Sequence, residues 1–168
     1  MLSHFKAGFL ITLIFGVLLT GCEYKPRESY KNLNNLEASI LFKENELNQG
    51  LVDALGRNIG LKKLYLNEKK KNADLYIEIL DHQITRYSAG IGVGARSKEA
   101  RMEYYLKLNL SLKGKEGNNT LEYKDNSYYS FDETRILALE QLEEKLKENF
   151  FLNSVKRINF SLMNLIDE

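Results

Sequence analysis

The sequence predicts an α+β fold: a two-layer sandwich in which two helices cover one face of a mixed sheet of four to five strands, with a parallel βαβ start and an antiparallel meander. Three patterns predict it. Residues 101–113 alternate strictly between apolar and polar side chains, which is typical of a half-buried strand. Residues 36–66 read as strand, helix and strand. Two apolar stripes at helical spacing follow the last strand.

The first unit along the chain is the parallel start of the sheet. Apolar residues alternate from Leu36 to Phe42, as in a strand, and Asn45 is placed to cap the helix that follows. Gly60 is suited to end that helix, and residues 64–66 form a second short strand. A strand, helix and strand at this spacing form a right-handed βαβ unit, so we expect the first two strands to be parallel.

Three long strands then predict an antiparallel meander. In the first, residues 73–87, the apolar parity changes at Leu80, which predicts a β-bulge. The second is residues 101–113 and the third residues 120–131. At about 3.3 Å per residue the middle strand reaches about 43 Å, about twice the length of the first helix, so one end of the meander should project past its helical cover. The apolar side of the middle strand comprises Met102, Tyr104, Leu106, Leu108, Leu110 and Leu112.

The C-terminal part is predicted to be helical. Asp132 is placed to cap a helix whose apolar residues recur every three or four positions as far as Phe150. A second amphipathic segment covers residues 155–166. The pattern leaves open whether this segment continues the first helix with a kink or packs separately.

The N-terminus has the pattern of a secreted lipoprotein. Residues 1–21 combine Lys6 with a continuous apolar run that is too short to predict a membrane span. The sequence Leu-Thr-Gly-Cys that ends at Cys22 resembles a bacterial lipobox, where a peptidase cuts before an acylated cysteine. Acyl chains on Cys22 would hold the protein on a membrane without spanning it.

These features predict the organisation of the chain. Residues 1–21 form a lipoprotein signal peptide, residues 22–35 a lipidated tether, and residues 36–168 a single α+β domain. The tether is polar and contains Pro26, the only proline in the chain.

Composition argues against several functional classes. Cys22 is the only cysteine, so an intramolecular disulfide and a cysteine zinc cluster are excluded. Removal of the leader takes Lys6 away and leaves 23 of the 24 basic residues against 23 acidic ones, a balance that argues against nucleic-acid binding through bulk charge. His82 is the only histidine outside the leader. The carboxylates on the predicted strands have a spacing that does not define a catalytic geometry. We therefore predict no enzymatic activity, no cofactor and no metal.

Four groups of residues carry a resemblance to a known family. They are Cys22, Tyr24 and Arg27 at the mature start, Ala73, Asp74, Leu75, Ile77 and Ile79 at the opening of a strand, Glu103 and Tyr104 before the alternating run, and Glu133, Ala138 and Leu139 in the last helix. In these residues, and in its order of elements behind a lipobox, the chain resembles the LPS-assembly lipoprotein family, LptE. It departs from the family at residues 42–45, which include no threonine, and in its longer tail beyond Phe151.

The resemblance implies a function without turnover. The family's protein works as a plug and chaperone inside the outer-membrane barrel LptD during lipopolysaccharide assembly. We therefore expect an outer-membrane lipoprotein, anchored on the periplasmic side, with an LptD-type barrel and lipopolysaccharide as partners. The alternative is a lipoprotein scaffold, a pilot or a small-ligand binding module of another envelope complex.

Two surfaces are candidate sites. The basic residues Arg96, Lys98 and Arg101 lie beside a glycine-rich tip, where they either form a solvated loop or bind lipopolysaccharide phosphates through charge-assisted hydrogen bonds. The polar side of the sheet is either simply solvated or faces the polar lumen of a barrel. The candidate residues on that side are Tyr105, Lys107, Asn109 and Tyr128.

Overall fold

The computed structural model describes residues 33–68, 72–91, 97–115, 117, 119–131 and 135–167. The signal peptide and most of the tether lie outside these residues. The end of the tether forms a 3-10 turn, Leu33–Asn35, in which Leu33 is buried. The elements that follow are β1 (Glu37–Leu41), α1 (Glu46–Asn58), β2 (Lys63–Leu66), β3 (Leu75–Ile91), β4 (Ser97–Leu112), β5 (Asn119–Ser130) and α2 (Ile136–Asp167).

The described strands form one sheet in the order β2-β1-β3-β4-β5. β1 runs parallel to β2 and to β3, whereas β3, β4 and β5 are antiparallel neighbours. The predicted α+β fold, with its parallel start and its meander, is confirmed.

The predicted bulge lies in β3. Ile79 is opposite Leu108 on β4, and the next pair joins Asp81 to Lys107, so Leu80 is the extra residue. Because of this extra residue, the even-numbered residues after the bulge point to the helix-covered side of the sheet. His82 is one of them and is opposite Leu106. Without the bulge, the imidazole would point to the opposite face of the sheet.

The middle strand of the meander has one buried side. Met102, Tyr104, Leu106, Leu108 and Leu110 are each at most 3% exposed. The alternate residues from 101 to 111 are only partly buried. β4 is therefore the half-buried strand that its sequence predicts, and it carries much of the apolar core.

Helix α1 begins and ends at the predicted residues. The Asn45 side chain accepts a hydrogen bond from the Asn48 backbone N–H at 2.8 Å, which satisfies one of the free donors of the first turn. Gly60 follows the helix with φ of +68°, a backbone conformation that favours glycine.

The Asn45 cap gives a stability prediction. Asn45→Ala removes the acceptor and is expected to lower the free energy of unfolding by about 1 kcal/mol, whereas Asn45→Asp keeps an acceptor and should cost less. Urea unfolding of the two variants measures the difference. Equal losses for alanine and aspartate would contradict the capping role.

Helix α2 continues without interruption from Ile136 to Asp167, so the C-terminal stripe extends the preceding helix. At about 1.5 Å per residue it is about 48 Å long, close to the roughly 53 Å of β4, and it packs against β4 and β5. Its N-terminal turns are the least buried part, with Ile136 60% and Leu137 77% exposed. The predicted cap, Asp132, lies outside the described residues.

The two helices approach closely at a glycine. A Cβ atom on Gly50 of α1 would lie 2.6 Å from Cε2 of Phe151 on α2. Because Gly50 has no side chain, the Phe151 ring can pack between α1 and the sheet. In the described part of the chain, no helix combines the length and hydropathy needed to cross a membrane.

Candidate functional site

The polar side of the meander is the largest candidate surface. We call it the open face and define it by Gln83, Thr85 and Tyr87 on β3, Arg101, Glu103, Tyr105, Lys107 and Asn109 on β4, and Thr120, Glu122, Lys124, Asn126 and Tyr128 on β5. Strand register aligns these residues in rows across the three strands. The four residues predicted to face a partner, Tyr105, Lys107, Asn109 and Tyr128, all lie on it.

Arg101 is held between two tyrosine rings. Its guanidinium carbon lies 5.3 Å from the ring centroid of Tyr87 and 5.9 Å from that of Tyr128. Its Nη2 lies 2.6 Å from Oε1 of Glu103, and its Nη1 donates a long hydrogen bond, 3.5 Å, to the Tyr128 hydroxyl. That hydrogen bond and the charge of Glu103 raise the pKa of Arg101. Arg101 is thus a fixed cation with part of its charge already balanced.

Two further pairs of polar side chains on the open face join neighbouring strands. Lys107 Nζ lies 2.7 Å from Glu122 Oε1, and the hydrogen bond between them lowers the pKa of Glu122. Thr120 donates a 2.8 Å hydrogen bond to the Asn109 side chain. These contacts order the surface, and exposed ion pairs of this kind contribute little to stability.

The predicted basic cluster is only partly described. Arg96 lies outside the described residues. Lys98 lies in β4, and its side chain is not among those described. Arg101 belongs to the open face, where its stacking and its ion pair were not predicted. The sequence places arginine and tyrosine on neighbouring predicted strands, which is the one signal for this contact. Only the register of the strands shows which of these residues are adjacent.

A shallow trough of about 400 Å³ crosses the open face. Its lining includes Tyr87 and Tyr105, with Gln83, Thr85, Glu103 and Asn126 between or beside them. At one end, Lys124 Nζ lies 5.5 Å from the ring centroid of Tyr105. The trough therefore combines aromatic rings, hydrogen-bonding side chains and the Lys124 cation.

A second depression lies between the outer edge of β5 and α2, with a volume of about 510 Å³. Arg157 lies 5.8 Å from the Tyr123 ring centroid, and the Tyr123 hydroxyl donates a 2.6 Å hydrogen bond to Asp125. Partial burial and the Asp125 carboxylate raise the pKa of Tyr123 to about 12. Sequence periodicity could not predict this depression, because it depends on how α2 lies along β5.

His82 is a partly buried residue on the helix-covered side of β3. Its Nδ1 lies 2.7 Å from Oδ1 of Asn48, while the Asn48 amide group donates to the Lys43 carbonyl at 2.8 Å. Because the Asn48 amide group is already a donor, the neutral imidazole donates its proton from Nδ1 to Oδ1. Burial lowers the pKa of His82 to about 4, against the opposing effect of Asp81. His82 therefore has a structural role, in which its ring links β3 to Asn48 of α1.

The described residues hold no group of three or more histidine, cysteine or carboxylate side chains that could bind a metal ion. Cys22, the predicted lipidation site, lies outside the described residues.

Comparisons with known proteins bear on the fold. No family model matches the chain, and no curated protein sequence matches it. The crystal structure of rare lipoprotein B from Shewanella oneidensis matches with a TM-score of 0.59 and 15% identity, over 77% of this chain and 95% of that one. The solution NMR structure of an uncharacterized lipoprotein B from Nitrosomonas europaea matches with a TM-score of 0.58 and 14% identity, over 79% of this chain and 86% of that one.

At these identities the likeness establishes a shared fold. The resemblance to the LptE family, in which rare lipoprotein B is placed, is therefore confirmed for the architecture of the domain. Because one fold can serve several functions, the surface and the N-terminal pattern also have to support a functional proposal.

Proposed function

We propose that this chain is an outer-membrane lipoprotein that fills and stabilises an LptD-type barrel and takes part in lipopolysaccharide assembly. The observation that carries the proposal is the fold shared with rare lipoprotein B, which extends over 95% of that chain. The lipobox-like sequence ending at Cys22 supports the same conclusion from an independent part of the chain.

The anchor sets the location. Each buried methylene of an acyl chain contributes about 0.8 kcal/mol, so two or more chains on Cys22 hold the protein stably on a bilayer. The polar residues that follow Cys22 then act as a tether between the membrane and the folded domain.

The open face supports contact with a barrel lumen. Large outer-membrane barrels have polar interiors, and a surface of tyrosine, amide and charged groups can exchange hydrogen bonds with water for hydrogen bonds to such a wall. The helices cover the apolar side of β4, which leaves the polar side available. The domain acts as a rigid plug in this mechanism, and no bond is made or broken.

Arg101 supports contact with lipopolysaccharide phosphate. Its guanidinium is oriented by two rings and bound to Glu103 through Nη2, while the contact of Nη1 is long. A phosphate oxygen can therefore take over the Nη1 hydrogen bond while the Glu103 pair remains. We propose that Arg96 and Lys98 add to this attraction.

Charge reversal at the basic cluster tests this contact. Arg96→Glu, Lys98→Glu and Arg101→Glu combined should weaken lipopolysaccharide binding by about tenfold or more, since each lost charge-assisted hydrogen bond is worth about 1.5–3 kcal/mol. The matched control is Lys69→Glu, Lys70→Glu and Lys71→Glu, which makes the same change in net charge elsewhere. Binding of the purified protein to lipopolysaccharide vesicles measures the effect. Equal weakening in both variants, or unchanged binding in the first, would remove this cluster from the mechanism.

Affinity purification from detergent-solubilised membranes tests the proposed partner. Recovery of a barrel of the LptD class with the tagged full-length protein is the expected result. Recovery of a secretin, or of no barrel, would favour the alternative of a scaffold, pilot or small-ligand binding module in another envelope complex.

A further inference from the structure

The trough on the open face has two walls and a floor. One wall is formed by Tyr87, which is opposite Arg101 in the register of β3 and β4, and the other contains Tyr105. Along β4, Arg101 and Tyr105 are four residues apart, a separation of about 13 Å. The row between them consists of Thr85, Glu103 and Asn126, which form a floor of hydrogen-bonding side chains below the tyrosine rings.

Cations contact the tyrosine rings on both sides of the trough. Arg101 lies against Tyr87 and Tyr128, and Lys124 lies against Tyr105. Tyr87 nevertheless remains 43% exposed. An exposed ring that is already oriented loses little conformational freedom when it takes a ligand.

The chemistry of the trough selects among ligands. An apolar ligand would cover the Thr85 hydroxyl and the Asn126 amide without pairing them, which costs about 1–3 kcal/mol for each group left unsatisfied. A peptide that binds by adding a strand needs a free strand edge, whereas the backbone of β4 is paired on both sides along the trough. A sugar ring meets both requirements, since it presents an apolar C–H face and a rim of hydroxyl groups.

We infer that this trough is a saccharide-binding site. Tyrosine rings contact the C–H face of a pyranose, and Thr85, Glu103 and Asn126 exchange hydrogen bonds with its hydroxyl groups. A volume of about 400 Å³ is near the lower end of the roughly 300–1,000 Å³ of small-molecule sites, so the trough suits a short segment of a saccharide chain. This inference adds a ligand site to the proposed function. It rests on the proposed function in one respect, which is that the sugar belongs to a glycolipid.

Titration with a lipid-free sugar tests the site. The probe is the core oligosaccharide released from lipopolysaccharide by mild acid, added to full-length acylated protein in detergent and followed by calorimetry. Saturable binding is expected for the unmodified protein. Asn126→Ala should weaken it about tenfold, the effect of losing about 1.4 kcal/mol. Tyr105→Ala should weaken it by a similar factor.

The matched control is Asn109→Ala, an identical change on the same face outside the trough. It should leave sugar affinity within about twofold, a difference of about 0.4 kcal/mol, and urea unfolding of each variant reports whether the domain is still folded. Absence of binding to the unmodified protein overturns the inference. An equal loss in folded Asn126→Ala and Asn109→Ala overturns it as well.

Two vesicle preparations identify the source of the sugar. One carries lipopolysaccharide with its complete core, and the other carries the lipid A portion alone. Binding of the free oligosaccharide together with a preference for complete-core vesicles supports a glycolipid headgroup as the ligand. Binding of the free oligosaccharide without that preference supports a soluble saccharide. Co-purification of a barrel is measured separately, so its failure while sugar binding persists contradicts the proposed function alone.

Discussion

Replacement of Tyr104 by alanine is expected to lower the free energy of unfolding by about 3–5 kcal/mol, the usual cost of removing a buried aromatic side chain. The Tyr104 side chain is 2% exposed, and its ring is stacked on Phe150 with a centroid distance of 5.2 Å. Its hydroxyl lies 2.9 Å from Oγ of Ser154 on α2. The substitution therefore leaves a cavity between the sheet and α2 and deprives a buried serine of a partner.

The neighbouring tyrosine provides the control. Tyr105 is next in the chain, yet it lies on the open face and contacts Lys124. Tyr105→Ala should therefore cost no more than about 1 kcal/mol. Urea unfolding of the two variants compares them directly. Similar losses for both would contradict the assignment of one buried side and one open side to β4.

Stability should fall in mild acid because of His82. Its pKa is about 4 in the folded protein and 6.5 in the unfolded chain. Between these values the unfolded chain binds a proton that the folded protein does not, so the free energy of unfolding decreases as the pH falls. The contribution of neutral His82 to the free energy of unfolding is complete above about pH 6.5. It is reduced by about 2 kcal/mol at pH 5 and by about 3 kcal/mol near pH 4.

A His82→Gln variant isolates this effect, because glutamine can still donate a hydrogen bond to Asn48 but has no proton to gain. Denaturant unfolding at pH 7 and pH 5 should show a loss for the natural protein that exceeds the loss for the variant by about 2 kcal/mol. The comparison at pH 5 limits the contribution of carboxylates, which titrate mainly below that pH. Parallel losses in the two proteins would mean that His82 is not buried in a neutral form.

Local patterns in the sequence predicted the features that depend on local geometry. The alternation in residues 101–113 identifies the buried and open sides of β4, the parity change at Leu80 identifies the bulge, and Asn45 identifies the start of α1. Each of these follows from the period of a strand or from the backbone groups of a helix end. They needed no knowledge of the rest of the fold, and the structure confirms them.

Contacts between elements were not predictable in the same way. The position of Arg101 between Tyr87 and Tyr128 depends on the register of three strands, which the pattern of one strand does not fix. The burial of His82 depends on the bulge and on the placement of Asn48 in α1. The trough likewise requires residues far apart in sequence to meet. The candidate residues of the open face were therefore predictable individually, but their arrangement was not.

Site-specific photocrosslinking in cells tests the proposed plug most directly. A photoreactive residue is placed at Lys107 or Asn109 on the open face, and at Asp53 on the exposed side of α1 as the control. If the open face meets the lumen wall, the first two positions form an adduct with a large outer-membrane barrel protein, and position 53 forms much less. If the open-face positions form no barrel adduct, the account is contradicted, whereas an equal adduct at position 53 contradicts the assignment of the open face as the contact surface.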